Sequence, residues 1–121
     1  MCGIAGIVDY SSSSDKLDVV TNMLSAITYR GPDESGIYQS PIATIGNVRL
    51  SILDIIGGQQ PLSDISGRYW IVYNGEIFNY LELRKDLETK GCIFHTNSDT
   101  EVLLQLYSTY GIECLNLLGF K

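Results

Sequence analysis

The second residue of the chain is a cysteine, and this position gives it chemistry that an internal cysteine lacks. Cells remove Met1 when a small residue follows it, which would leave Cys2 with a free α-amine. A terminal amine has a pKa of about 7.7–8.0, so it can accept a proton from the thiol near neutral pH. Nucleophile and general base would then belong to one residue. A lone cysteine is more often a small buried side chain, so the surrounding motifs must decide between the two readings.

Six short motifs along the chain resemble those of a known family. They are MCGIAGIV at 1–8, YRGPDESG at 29–36, RLSILD at 49–54, GGQQPL at 57–62, YNGEIFNY at 73–80 and NSDTE at 97–101. In order and separation they resemble the class II glutamine amidotransferase domain. The GPD tripeptide and the stretch from RLSILD to QPL resemble its asparagine synthetase branch. The resemblance runs from Met1 to about Leu118.

The resemblance implies a reaction and catalytic residues. In that family a thiol attacks the side-chain amide of glutamine, ammonia leaves, and water hydrolyses the resulting thioester. Cys2 would be the nucleophile and its own amine the base. Asn74 and Gly75 would supply the oxyanion hole through a side-chain amide and a backbone N–H. Asn-Gly between apolar runs is also a strong hairpin signal, and that alternative stays open.

The same resemblance implies residues that bind the substrate. Arg49 resembles the residue that binds the α-carboxylate of glutamine, and a guanidinium can hold a carboxylate bidentately. The alternative is a solvated arginine on the polar face of a strand. Glu76 and Asp99 resemble the acidic groups around the α-ammonium, although Asp99 would also suit the first turn of a helix. The pocket would be lined by Leu50, Ser51, Ile52 and Leu53.

The local pattern predicts the elements that must position these residues. Apolar spacing predicts helices over 15–28 and 80–90, the second ended by Gly91, and Ser98 with Glu101 has the spacing of a capping box that opens another helix. A last helical turn is expected over 113–118. Strands are predicted near 4–8, 36–39, 42–52, 69–73 and 92–95.

Strands and helices come in unequal groups, which favours an α+β fold. The resemblance implies the αββα sandwich of N-terminal nucleophile hydrolases, with mainly antiparallel sheets. That sandwich would be incomplete here, because the family's domain continues with further strands. We therefore expect 1–121 to be the N-terminal portion of one amidotransferase domain.

Composition excludes several other classes of protein. The chain has 121 residues, of which 45% are hydrophobic, and a net charge of −6. Nucleic acids and acidic membranes need a basic face, so neither is expected as a partner. Three widely spaced cysteines predict neither a disulfide framework nor a metal site. No secretory signal is apparent, so a cytoplasmic location is expected.

The expected partners are glutamine and a C-terminal synthetase domain, in the same protein or in a partner chain; a homodimer is a further alternative. No cofactor is expected in this domain, because ATP and Mg would belong to the synthetase domain. Asparagine synthesis from aspartate is the activity expected of the full-length protein. Two alternatives stay open: an inactive truncated or non-catalytic amidotransferase-like module, and an amidotransferase that acts on a sugar or cell-surface precursor.

Overall fold

A computed structural model describes residues 2–11, 15–50 and 58–119. These residues form two compact units. The first contains residues up to 50 together with 59–61 and 72–74, and the second contains residue 58, residues 62–71 and residues 75–119. The sheets in both units are antiparallel, so the predicted α+β class with antiparallel sheets is confirmed.

The first unit contains a three-stranded sheet. Its strands are β1 (Gly3–Val8), β2 (Glu34–Gln39) and β3 (Ala43–Arg49). The order is β1-β3-β2, so the central strand is the last in sequence. In the register, Gly3 pairs with Val48 and Glu34 pairs with Arg49. The strand predicted over 42–52 is confirmed as far as Arg49, and its expected end at 51–52 lies outside the described residues.

Helix α1 (Lys16–Ala26) covers one face of this sheet, as the spacing of its apolar residues predicts. Val20 and Leu24 are buried against Val48 of the central strand. A Cβ on Gly46 would lie 2.7 Å from Leu24 Cδ1, so the helix approaches the sheet closely where the strand lacks a side chain. Because side chains alternate along a strand, Arg49 lies on the face opposite to Val48 and α1.

The second unit is built around a helical pair. Helix α2 (Tyr80–Thr89) and helix α3 (Asp99–Tyr110) are followed by a 3-10 helix over Gly111–Leu117. Gly91 takes a positive φ of 94° just after α2, so its predicted role as terminator is confirmed. The buried core of this unit consists of Leu87, Val102, Leu106 and Cys114.

A short hairpin in the second unit pairs β4 (Leu62–Ser63) with β5 (Trp70–Ile71). The strand predicted over 69–73 is therefore present but reduced to two residues. Asp64 stabilises the connecting turn, because its carboxylate accepts hydrogen bonds from the Ser66 hydroxyl and the Tyr69 backbone N–H at 2.5 and 3.0 Å. These hydrogen bonds, that from Ser66 above all, hold the pKa of Asp64 below its ordinary value.

Two local predictions before α3 need correction. Residues 92–95 do not form a strand; Cys92 N–H bonds the carbonyl of Leu87, and His95 N–H bonds the carboxylate of Glu101. The capping box is half right. Ser98 Oγ accepts from Glu101 N–H at 3.2 Å, but the Glu101 carboxylate turns to the backbone before Ser98 rather than to Ser98 itself. The Glu101 carboxylate therefore holds the loop at residues 95–96, part of which the local pattern predicts as a strand.

Candidate active site

Cys2 and Arg49 lie at the same end of the three-stranded sheet. Cys2 directly precedes β1 and Arg49 ends β3, and the neighbouring residues Gly3 and Val48 are paired across the two strands. A Cβ on Gly3 would meet Ile27 and Val48, so Gly3 faces α1. Cys2 lies just outside β1, and a continued alternation would put its side chain on the opposite face, the face of Arg49. The register thus brings the residue predicted as nucleophile and the residue predicted to bind the carboxylate to the same end of the sheet.

The RGPD loop (residues 30–33) supports both of these residues through contacts with their backbone. Arg30 Nε donates a hydrogen bond to the Cys2 carbonyl oxygen at 3.1 Å. Gly31 packs against the end of β3 so closely that a Cβ there would lie 2.6 Å from backbone carbonyl carbons of Val48 and Arg49. A distance below 3.0 Å leaves no room for a side chain, so this position requires glycine.

Arg49 is 9% exposed, which contradicts the alternative of a solvated strand arginine. Its Nη1 donates to Oε2 of Glu34 at 3.0 Å, across the antiparallel pair. The sequence alone does not mark Glu34 as a site residue. The sequence does contain an acid in β2 and an arginine in β3. Which acid faces which arginine follows only from the register of the two strands.

Two glutamines of the GGQQPL motif extend this network. Gln59 Nε2 donates to Oε1 of Glu34 at 3.2 Å, and Gln60 Oε1 accepts the backbone N–H of Tyr73 at 2.7 Å. A cavity of about 290 Å³ lies beside them. Among the described residues it is lined by Glu34, Ser35, Gly36, Asn47, Gln59, Gln60 and Pro61. Buried Asn47 Oδ1 has no hydrogen-bond partner within the described part of the chain.

The Asn74-Gly75 dipeptide does not form a hairpin, so that alternative is wrong. After Gly75 the chain runs into α2 rather than into a strand paired with β5. Asn74, Gly75 and Glu76 are all exposed to solvent. Because Asn74 and Gly75 do not join two strands, the Asn74 side-chain amide and the Gly75 N–H are not engaged in a hairpin.

Asp99 is the first residue of α3, as expected, and it also fixes the segment after Gly75. Its Oδ2 accepts the backbone N–H of Ile77 at 3.1 Å, and the Ile77 side chain is buried. Glu101, 4% exposed, holds the preceding loop by accepting from the N–H groups of His95 and Thr96. The bond from Ile77 thus fixes the Asp99 side chain, and the bonds to Glu101 fix the loop that leads into α3.

The predicted site residues divide between the two units. The first contains Cys2, Arg49, Leu50 and Asn74, and the second contains Gly75, Glu76 and Asp99. Ser51, Ile52 and Leu53 lie outside the described residues.

No helix over the described ranges is long and apolar enough to cross a bilayer.

Comparison with known proteins identifies the class. The family model described as a glutamine amidotransferase domain matches residues 1–119. The chain therefore belongs to the glutamine amidotransferase domain family.

Its relatives narrow the assignment to one kind of amidotransferase. The chain is 43% identical to asparagine synthetase [glutamine-hydrolyzing] 1 of Bacillus subtilis (strain 168), over 98% of this chain and 19% of that protein. It is 37% identical to asparagine synthetase [glutamine-hydrolyzing] 3 of the same organism, and 38% identical to asparagine synthetase [glutamine-hydrolyzing] 1 of Arabidopsis thaliana. The chain spans about a fifth of the length of these relatives. It is thus a glutamine amidotransferase domain related to the N-terminal part of asparagine synthetases.

Proposed function

We propose that this domain hydrolyses glutamine to glutamate and ammonia with Cys2 as nucleophile, after removal of Met1. The α-amine of Cys2 takes the thiol proton, and the sulfur attacks the side-chain amide carbon of glutamine. The amine then returns that proton to the departing nitrogen as ammonia leaves. Water hydrolyses the γ-glutamyl thioester with the amine again acting as base, which regenerates the thiol.

Asn74 and Gly75 stabilise the charge that develops in this reaction. The carbonyl oxygen of the substrate amide becomes an oxyanion when the sulfur attacks. The Asn74 side-chain amide and the Gly75 backbone N–H donate hydrogen bonds to it. Donors of this kind act where charge appears in the transition state, so they lower the barrier more than they improve substrate binding.

Substrate recognition rests on the two charged groups that the α-carbon of glutamine carries. Arg49 binds the α-carboxylate, and Glu76 and Asp99 accept hydrogen bonds from the α-ammonium. Leu50, Ser51, Ile52 and Leu53 complete the pocket. The ion pair of Arg49 with Glu34 supports this assignment, because it holds a buried guanidinium in a fixed orientation at the end of β3.

The names of the relatives suggest the use of the ammonia. We propose that in the full-length protein it is transferred to aspartate to form asparagine, by a synthetase domain that uses ATP and Mg. The domain would then act in the cytoplasm. Its antiparallel sheets and flanking helices would belong to the αββα sandwich of N-terminal nucleophile hydrolases.

The observation that carries the proposal is the register that puts Cys2 and Arg49 at one end of the same sheet. A glutamine analogue with a diazoketone in place of the side-chain amide tests it. Peptide mass spectrometry should find the label on Cys2 of protein whose N-terminus is Cys2, and excess glutamine should protect it. Cys92→Ala serves as the matched control and should label normally. A label on Cys92 or Cys114 instead of Cys2 would overturn the proposal.

A further inference from the structure

The GGQQPL motif carries a branch-specific part of the resemblance, yet none of the proposed chemical steps uses it. In the structure its two glutamines point to different partners in the first unit. Gln59 bonds the carboxylate that pairs with Arg49, and Gln60 bonds the backbone one residue before Asn74. Arg49 and Asn74 have different proposed roles, since one binds substrate and the other stabilises the oxyanion.

We propose that Gln59 and Gln60 are positioning residues: Gln59 orients Arg49 through Glu34, and Gln60 fixes the backbone that presents Asn74. The proposal rests on the proposed glutamine hydrolysis and assigns the residues that set its binding and catalytic geometry.

The segment that carries the two glutamines is itself anchored on the sheet. Gly36 of β2 packs against the Gln60 carbonyl group so closely that a Cβ would be 3.0 Å from Pro61 Cδ. A side chain at position 36 would push the segment away. This contact fixes the backbone of residues 60–61, so the Gln60 side chain reaches Tyr73 from a defined position, and Gln59 directly precedes the fixed segment.

The Gln59 contact acts on the orientation of the guanidinium. Glu34 accepts from Gln59 Nε2 through Oε1 and from Arg49 Nη1 through Oε2, so each oxygen has a separate donor. Glu34 is partly exposed, and without the bond from Gln59 its carboxylate could rotate away from Arg49. Loss of Gln59 should therefore weaken binding of the glutamine carboxylate more than it slows the chemical step.

The Gln60 contact acts on the oxyanion donor. The 2.7 Å bond to Tyr73 N–H fixes the peptide group between Val72 and Tyr73, one residue before Asn74. Because that donor is needed most in the transition state, a small displacement of Asn74 should lower kcat and leave KM nearly unchanged. The two neighbouring glutamines are thus expected to have opposite kinetic signatures.

The test compares Gln59→Met, Gln60→Met and Gln60→Glu in the full-length protein that contains this chain, with Cys2 at its N-terminus. We expect Gln60→Met to lower kcat about tenfold, less than the roughly 10²–10³-fold loss on removing an oxyanion donor outright. Gln60→Glu keeps the acceptor oxygen and should retain most of kcat. Gln59→Met should raise KM for glutamine about fivefold with kcat within about twofold, as expected when uniform binding is lost.

One further measurement and one control variant separate positioning from general destabilisation. Hydrogen exchange of the Tyr73 amide should accelerate in Gln60→Met and stay slow in Gln60→Glu. Gln39→Met changes an exposed glutamine of β2 and should leave kcat, KM and exchange unchanged.

Equal effects of Gln59→Met and Gln60→Met on kcat and KM would overturn the inference. So would a Gln60→Glu variant as impaired as Gln60→Met. Failure of the proposed function would give a different result from failure of this inference. The parent protein would then hydrolyse no glutamine, while hydrogen exchange of the Tyr73 amide would still depend on Gln60.

Discussion

Glu34 and Arg49 face each other across β2 and β3, and their side chains form an ion pair with 3.0 Å between Nη1 and Oε2. The Arg49 side chain is 10% exposed and that of Glu34 is 32% exposed. An ion pair with a buried partner is weak evidence of net stability, because the cost of removing charge from water offsets the attraction. The main consequence of the pair is therefore orientation, because it holds a planar group with five N–H donors at a fixed angle.

Replacing Arg49 with lysine should impair binding of glutamine more than turnover. Lysine keeps the charge but cannot bind a carboxylate bidentately. The lost charged hydrogen bonds correspond to about 1.5–3 kcal/mol, or roughly 10–100-fold in KM. Steady-state kinetics with glutamine measures this, with Arg68→Lys at an exposed arginine as the control. An Arg49→Lys variant with the KM of the parent would show that Arg49 does not bind the carboxylate.

The free α-amine of Cys2 should be required for activity. A variant with one cleavable residue kept before Cys2 has its amine in a peptide bond, so it lacks the general base. A general base typically raises the rate about 10²–10⁴-fold, so kcat should fall by a factor of that order. Proteolytic release of Cys2 should restore turnover, and Cys2→Ala should stay inactive before and after cleavage. Full activity of the extended form would refute the role of the amine.

The core of the second unit should depend strongly on Leu87. Its side chain is fully buried among Val102, Leu106 and Cys114. Leu87→Ala should lower the free energy of unfolding by about 2–5 kcal/mol, because the removed atoms no longer gain from burial and a cavity is left in their place. Leu81→Ala on the same helix is the control; it is 64% exposed and should change stability by about 0.5 kcal/mol or less. Urea denaturation of both variants compares them, and similar losses would contradict the described core.

Glu101 should hold the loop before α3. Its buried carboxylate accepts from His95 N–H, Thr96 N–H and the Thr96 hydroxyl. Glu101→Leu would leave these donors without their acceptor, at a cost of about 1–3 kcal/mol for each donor that stays buried and unpaired. Amide hydrogen exchange at His95 and Thr96 should accelerate, while Glu82→Leu, at an exposed acid in the first turn of α2, should not affect it. Unchanged exchange in Glu101→Leu would rule out this role.

Asp64 should make stability depend on pH in the acid range. Hydrogen bonds, first that from Ser66, hold its pKa below the ordinary value of 3.8. A lowered folded-state pKa means that the stabilisation is present above 3.8 and is lost as the pH falls through the folded value. Asp64→Asn should therefore unfold more easily than the parent at pH 7, with a difference that narrows below pH 3.8. Asp86→Asn, at an exposed acid, is the control, and a difference that widens in acid would contradict the prediction.

Much of the local structure follows from the sequence alone. The apolar spacing of α1 and α2 and the glycine after α2 fix those helices, because each signal acts over one or two turns. The order and separation of six motifs identified the family, and the match over residues 1–119 confirms it. The chemistry expected of Cys2 also follows from the sequence, because it depends on this cysteine coming directly after Met1.

Other features were decided by contacts between residues far apart in the chain. The pairing of Glu34 with Arg49 follows from the β2–β3 register, and the bond from Tyr73 to Gln60 joins residues 13 apart. Local pattern allowed a hairpin at Asn74-Gly75 and a bond from the Glu101 carboxylate back to Ser98, and the structure has neither. Local propensity cannot foresee either outcome, because a side chain bonds whichever donor or acceptor the folded chain brings within reach.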